Sequence, residues 1–332
     1  MIKKQHSLIW LVFFITPLIC FGDNTDTTCI KEFDRKYNIQ SYSYITDISL
    51  LVNPFGRTRD FGISLQPNVK GQAGLALGFQ NFTVAFSVQI PGTESNELRF
   101  GKSQYFDFSF GYYKRKFGGE IYYRYFQGMF RSNNDFAAER IRPDIYVNNG
   151  GLNVFYAANH KKFSMRSAFS QQEQQIKSAG SFVLLSNFQF RSLIADSSII
   201  PKSIDNDSIF SDLNGLEDMR FYTLSFRPGY AYNFVSTNGR WFFAPAVFAG
   251  MGTGWYTSKS NVGYKSGLPI ELTFHAKVFT GYNHNKWFLS VFYAYDGNVD
   301  FFKNSFVNLN THTLGINLAY RLKSIGIKSK WL

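Results

Sequence analysis

The chain has 332 residues, of which 45% are hydrophobic, 19% aromatic and only 17% charged, with 27 Gly, 9 Pro and 2 Cys. So many aromatics with so little charge exclude a disordered chain, and two cysteines exclude a disulfide scaffold. A mean hydropathy of -0.18 argues against a bundle of membrane helices, and the formal net charge of +12 raises the question of an anionic partner.

The first element is a segment for export. Lys3 and Lys4 precede an almost wholly apolar run from Leu8 to Phe21, and Cys20-Phe21-Gly22 offers small residues for cleavage before Asp23. This is the three-part pattern of a secretory signal over residues 1–22. A membrane anchor fits less well, because the run is short for a span of ~20 residues and Pro17 interrupts it. A lipoprotein site at Cys20 fits less well still, because Pro-Leu-Ile before it lacks the small residue expected there. Removal of residues 1–22 lowers the net charge to +10 and leaves one cysteine, Cys29. Export turns the basic balance away from nucleic acid and towards an anionic outer surface or solute.

A periplasmic segment over residues 23–43 is expected next, then a body from 44 to 323 that alternates with period two. Gly71–Thr93 and Trp241–Ser258 carry no charge and could be mistaken for membrane helices. A helix there would bury Gln72, Gln80, Asn81 and Gln89 in lipid. As a strand, Phe82, Val84, Phe86, Val88 and Ile90 share one face and Thr83, Ala85, Ser87 and Gln89 the other, with Gln80-Asn81 as the preceding turn. The pattern recurs around Phe106–Tyr112, Tyr222–Tyr232, Trp287–Tyr295 and Leu314–Leu322.

The apolar face is too continuous for the outside of a soluble sandwich, and the other face too charged for a sandwich core. A transmembrane antiparallel up-and-down β-barrel needs this arrangement: apolar outward, polar into the lumen, and no open sheet edge in hydrocarbon. Tyr, Trp and Phe at the strand ends suit aromatic girdles. Up to fourteen candidate strands lie between Thr46 and Lys323. Long connections at Ile194–Asp218, Thr257–Pro269 and Gly297–Thr311 fall on one side under that count, and Pro91–Lys102 and Gly128–Asn148 on the other. Long loops should share a side, so we expect about twelve strands, reached by discarding Thr46–Val52 and one arm between Leu152 and Leu193, with fourteen as the alternative. In the last strand, Thr313, Gly315, Leu318 and Tyr320 resemble the C-terminal signal read by barrel-assembly machinery, although twelve residues follow Tyr320. Residues 324–332 form a basic tail.

The stretch from Asn159 to Phe182 (NHKKFSMRSAFSQQEQQIKSAGSF) resembles the central motif of the uncharacterised family known as domain of unknown function 4421. The resemblance implies an exported outer-membrane barrel of Bacteroidetes-type bacteria and supplies no activity, ligand or catalytic residue. Read from its residues, the stretch is a strand, a Gln-rich polar turn and a second strand. That turn either docks against something in the lumen or is a solvated hairpin tip.

Alternation points ten charges inward: Asp107, Glu120, Arg124, Arg166, Arg191, Arg227, Glu271, Lys277, Asp296 and Arg321. Six are basic and four acidic, so they could pair and fill the lumen or line a water path with weak anion preference. A twelve-strand barrel lies between the packed small barrels and the open large ones, so both remain open. His275 shares a face with Glu271, Thr273 and Lys277 and could be half of a hydrolytic device, but no nucleophile motif accompanies it. His160 and His284 fall in turns. Asp205-Asn-Asp207 resembles a calcium loop without the required glycine, because Phe210 stands in its place, and a solvated acidic loop is the simpler reading. Residues from Asp135 to Pro143 suggest a short capped helix. No phosphate loop, dinucleotide fingerprint or zinc cluster is present in the sequence, and no cofactor is expected. The expected partners are outer-membrane lipid and lipopolysaccharide, with assembly machinery during biogenesis. Three functions follow: a small-solute pore with a slightly basic lumen, an outer-membrane lipid hydrolase using His275 or His312, or a plugged barrel that binds or scaffolds.

Overall fold

A computed structural model describes residues 26, 28–54, 62–132, 140–201, 210, 213–260, 263–302 and 305–323. The signal segment, the basic tail, most of the Asp135–Pro143 stretch and the residues Asp205, Asp207 and Asp212 lie outside the described residues. In chain order the strands are β1 (Ile30–Glu32), β2 (Tyr37–Pro54), β3 (Ile63–Pro67), β4 (Gly71–Phe79), β5 (Phe82–Gln89), β6 (Gln104–Tyr113), β7 (Phe117–Arg131), β8 (Ile141–Ala157), β9 (Glu173–Gln175), β10 (Ala179–Ile194), β11 (Asp218–Val235), β12 (Trp241–Ser260), β13 (Gly263–Gly267), β14 (Ile270–Asn283), β15 (Trp287–Phe302) and β16 (Ser305–Leu322).

Twelve of these form a closed antiparallel transmembrane barrel. β2 pairs with β4, the ring continues through β5, β6, β7, β8, β10, β11, β12, β14 and β15, and β16 returns to β2. The closing ladder runs from Leu322↔Tyr37 to Ser305↔Pro54, so no edge is left open. β3 bridges β2 to β7 above the short strands β4, β5 and β6, and β13 extends the end of β12. β1 and β9 pair with each other inside one end of the ring.

The strand number is the one expected from the sequence, but the strands are not the same set. Thr46–Val52 is genuine: it is the middle of β2, which begins at Tyr37, inside the segment expected to precede the barrel. Gly297–Thr311 is strand rather than a long loop, because β15 runs to Phe302 and β16 starts at Ser305. Polar residues in those stretches suggested loop. In fact both strands continue past the apolar band: β16 alternates half-buried Asn308 and Asn310 with buried Val307 and Leu309, and β15 turns Asn298 and Asp300 into the interior.

Alternation explains the packing. On β16, Leu314, Ile316, Leu318 and Tyr320 are exposed on the outside, while Ala319 and Arg321 are buried inside. On β5, Val84, Phe86 and Val88 face out and Ser87 faces in. Trp241, Tyr282 and Trp287 meet in one outer cluster, Trp241 edge-on to Tyr282 at 5.1 Å and Trp287 tilted against it at 5.3 Å, as a girdle at one end. At that end the connections are mostly tight, including Gln80-Asn81, where Gln80 takes a left-handed φ of 48°. We call it the turn end. The other, the loop end, carries the connections 90–103, 132–140, 195–217 and 261–269. A four-residue helix α1 (Glu97–Phe100), capped by Asn96, sits in the first of them.

Candidate functional site

The turn end has one long connection, and it folds into the lumen. β8 stops at Ala157, so no barrel strand runs through the segment 158–178, which holds only the three-residue β9 and is not a solvated tip. It docks across the mouth of the barrel. Phe163, Ala168, Ser164 and Glu173 are fully buried, and Phe163 and Ala168 pack against Phe155, Val183, Ala231 and Phe242 of the wall. A helical turn at Arg166–Ser170 ends at Gln171, which adopts a left-handed φ of 53°. A non-glycine residue held in that region needs neighbours that fix it. Here Asn283 donates to its Oε1 at 2.7 Å and Arg321 donates to its carbonyl at 2.5 Å.

Glu173 is the centre of the segment. Its carboxylate accepts from Arg115 Nε at 2.9 Å, from Arg166 Nη1 at 2.9 Å and from the Ser164 hydroxyl at 2.5 Å. Arg115 belongs to the β6–β7 turn, so the cluster ties the segment to the wall. Two glutamines beside it do the same: Gln172 donates to Thr83 of β5 at 2.7 Å and Gln174 donates to the Gly239 carbonyl at 3.0 Å, while Gln175 donates to the Lys162 carbonyl at 2.6 Å within the segment. The Gln-rich composition follows from this position. A buried segment in a polar lumen must satisfy its own backbone and that of its neighbours, and a primary amide both donates and accepts. The N-terminal piece completes the layer: β1 pairs with β9, and Phe33 lies under the Arg321 guanidinium at 3.8 Å. At the outer rim of this layer Lys36 donates to Glu32 at 2.7 Å, a bond that holds that carboxyl below the usual carboxylate range.

The loop end is closed differently. Ile199, Ile200, Phe210, Leu213 and Leu216 of the 195–217 connection are buried against Leu50, Leu65, Phe126, Val147, Phe221 and Val307. Arg131 donates to the Ile199 carbonyl at 2.8 Å and Arg142 to the Ser198 carbonyl at 2.7 Å. The described part of this connection is thus an apolar cap and not a solvated acidic loop.

Between the two layers is a cavity of about 250 Å³. Its part nearest the docked segment is lined by Phe155, Phe279, Met165 and Phe169, with Tyr113 and Glu120 beside them. Further in, Leu185 and Phe248 interleave with Asn149, Gln189, Arg124, Arg227, Lys277, His275, Asp296 and Asn298, Leu185 being the register partner of Arg227 and Phe248 that of His275. Arg124 donates to Asp107 at 3.0 Å. His275 Nδ1 pairs with Asp296, its register partner on β15, rather than with the Glu271 of its own strand. No hydroxyl or thiol reaches that ring among the described residues, so the hydrolytic device lacks its nucleophile there. Arg227 reaches only amide and hydroxyl oxygens: Ser225 Oγ and Asn187 Oδ1 at 3.2 Å, and Asn298 Oδ1 at 3.4 Å.

The ten charges inferred from alternation do not act as one set. Asp107, Glu120, Arg124, Arg227, Lys277 and Asp296 lie at the level of the cavity, with Glu120 accepting from Tyr113 at 2.5 Å. Arg191 stands nearer the loop end, 2.5 Å from Asp300 and 3.5 Å from Glu271, which face each other across β14 and β15. Arg321 serves the docked segment, and Arg166 is part of it. Thr313, Gly315, Leu318 and Tyr320 all lie in β16, with Leu318 and Tyr320 on the outer face. His312 also faces outward, bonded to Tyr293 OH at 2.8 Å. Sequence reasoning passed over Glu173, Arg115, Ser164 and Asp300. The signal for Glu173 was in view, as the single acid in a run of glutamines.

The family model described as Domain of unknown function (DUF4421) matches residues 24–322. The chain belongs to that family. No curated protein matches it. Among solved structures, it is similar to the outer-membrane protease OmpT of Escherichia coli, at 8% identity and a TM-score of 0.40, over 86% of this chain and 96% of that one. It is also similar to the toluene transporter TodX of P. putida, at 10% identity and a TM-score of 0.30, over 86% of this chain and 90% of that one. Ail, the attachment invasion locus protein of Yersinia pestis, matches at 11% identity and a TM-score of 0.22, over 86% of this chain and 99% of that one.

Proposed function

We propose that this DUF4421 chain is an integral outer-membrane barrel whose lumen is shut by its own chain at both ends, and that it retains a small solute instead of conducting freely. The observation that carries this reading is the 158–178 segment, latched across the turn end through the buried Glu173. A segment held by bonds to β5, β14, β16 and two turns is a built plug, because each bond satisfies a polar group that burial would otherwise penalise. The apolar cap at the other end removes the remaining direct path.

The export pattern of residues 1–22, the apolar outer band and the aromatic girdle support the outer membrane, with lipid and lipopolysaccharide as the surroundings of the band. Short turns and both described chain ends lie at the turn end, the usual periplasmic side of such barrels, so the plug faces the periplasm. Assembly machinery would read Thr313, Gly315, Leu318 and Tyr320 in the closing strand.

Single-channel recording of the refolded chain in a planar bilayer tests the reading, once a heat-shift gel has shown that the barrel is folded. A folded barrel without stepwise current is expected. Steady stepwise current from the unmodified chain would restore the open small-solute pore.

A further inference from the structure

The cavity between the two layers has a division that fits one class of molecule. Its size, about 250 Å³, exceeds the ~150 Å³ of a dry cavity that takes benzene, so a ring with a short side arm can be accommodated. The half beside the plug is mostly apolar and includes Met165 and Phe169, with Phe169 edge-on to Phe279 at 5.6 Å, and the carboxylate there, Glu120, accepts from Tyr113. The other half holds cations. Arg124 already has Asp107, and Asp296 already has His275. Arg227 makes no ion pair among the described residues, and Lys277 makes neither an ion pair nor a hydrogen bond there, although both side chains line the cavity. Removing a cation from bulk water without a counter-charge is costly. The carboxylates that share the lining are bonded elsewhere, Glu120 to Tyr113 and Asp296 to His275, so Arg227 and Lys277 stand in the chamber with no carboxylate in contact among the described residues.

We infer that the chamber binds a small organic monoanion with an apolar body, its carboxylate between Arg227 and Lys277 and its body against Phe155, Phe279 and the plug residues Met165 and Phe169. A guanidinium offers a planar fork to a carboxylate and an ammonium a point charge, so the pair recognises the head without demanding a particular body. The apolar half selects against fully hydrophilic anions such as inorganic phosphate. This inference rests on the closed-chamber reading above.

The test uses the full chain refolded in detergent in the presence of 3-phenylpropionate, so that entry through the plug is not required. After removal of free ligand, retained 3-phenylpropionate is counted by mass spectrometry and its affinity measured by competition. Retention is expected, with the neutral 3-phenylpropanol and the cationic 3-phenylpropylamine bound more weakly by about tenfold or more. Lys277→Gln should weaken 3-phenylpropionate by a similar factor, and Lys277→Arg should restore much of it. Lys277 has no bond to lose, so its variants test the site without endangering the fold. Arg227→Gln should add to the loss, and its heat-shift on a gel separates ligand loss from misfolding. Equal binding of alcohol and acid, or unchanged binding in Lys277→Gln, overturns the inference. A barrel silent in the bilayer that fails to retain 3-phenylpropionate sinks the ligand class alone, whereas stepwise current from the unmodified chain sinks the closed chamber itself.

Discussion

The two ends of the lumen are closed by different physics. At the turn end the plug is held by directional contacts: a carboxylate shared by two guanidinium groups and a hydroxyl, and amides reaching named carbonyls. At the loop end the closure is an apolar cluster whose main requirement is volume, with Arg131 and Arg142 pinning the backbone of the connection. A directional latch can fail at one atom, because loss of a partner leaves other charges buried and unpaired. An apolar cap loses stability roughly in proportion to the volume removed. The turn end is thus the end that a single chemical event could open.

The largest effect should come from Glu173→Ala. Arg115 would keep Glu32 at 3.2 Å while Arg166 would lose its carboxylate, a change that costs about 3–5 kcal/mol when a buried pair is broken. The plug should detach while the barrel stays folded. Limited trypsin digestion would then cut at Lys161, Lys162 or Lys177 much faster than in the unmodified chain. The barrel should stay silent in the bilayer, because the loop-end cap remains, and should conduct only when Glu173→Ala is combined with Leu216→Asp. Current from Glu173→Ala alone would mean that the cap leaks.

Ile199→Ala breaks the other end. Ile199 is fully buried, and its N–H donates to the Leu216 carbonyl at 2.7 Å, a bond the alanine keeps. Only the side-chain volume is lost, worth about 2–4 kcal/mol in a packed core. The thermal midpoint of the loop-end cap, followed by hydrogen exchange of residues 195–200, should fall, and trypsin cleavage of the plug should not change. A matched change at both ends would show that the two closures are one cooperative unit.

Arg321→Lys is a smaller break in the latch. The guanidinium donates to the His284 and Gln171 carbonyls and to Asn283 Oδ1 while lying over Phe33 and Phe288. Lysine keeps the charge and loses the planar fork, at a cost of about 1–3 kcal/mol. Plug cleavage should quicken, but less than in Glu173→Ala. An unchanged rate would leave Glu173 as the whole latch.

The barrel was legible in the sequence because lipid and lumen impose a strict alternation that Val84, Phe86 and Val88 or Leu314, Ile316 and Leu318 display without exception. The same alternation sets Arg124, Arg191, Arg227, Lys277 and Asp296 on the lumen face, whereas Arg166 stands in the helical turn of the docked segment and on no strand. What alternation cannot tell is how far along the axis a residue stands, so Arg191, Arg227 and Arg321 read alike and serve three different layers. The plug was illegible because its burial comes from neighbours distant in the chain. A run such as Gln171-Gln172-Glu173-Gln174-Gln175 is polar for solvent or polar for a polar lumen, and composition is the same in both cases. The cap was misread through its acids, since Asp196 and Glu217 flank the buried Ile199 and Leu216 and mask them in any average over the loop.

The smallest effect should come from Cys29, and it provides the finest comparison of the two ends. In the chain from Asp23 onward it is the only cysteine, and its side chain is buried beside β9. Its carbonyl accepts from the Ile176 N–H at 2.7 Å, so its burial depends on the plug. Cys29→Ser removes one small sulfur and should cost about 1 kcal/mol or less, too little to shift a heat-shift gel. The rate at which a maleimide labels the thiol, however, measures how often the turn end opens, because a buried thiol reacts only after local opening. Labelling should be slow in the unmodified chain, fast in Glu173→Ala, intermediate in Arg321→Lys and unchanged in Ile199→Ala. That order assigns opening to the directional latch. If Ile199→Ala were as fast as Glu173→Ala, opening would follow the stability of the whole barrel, and the plug would be a passive part of its core.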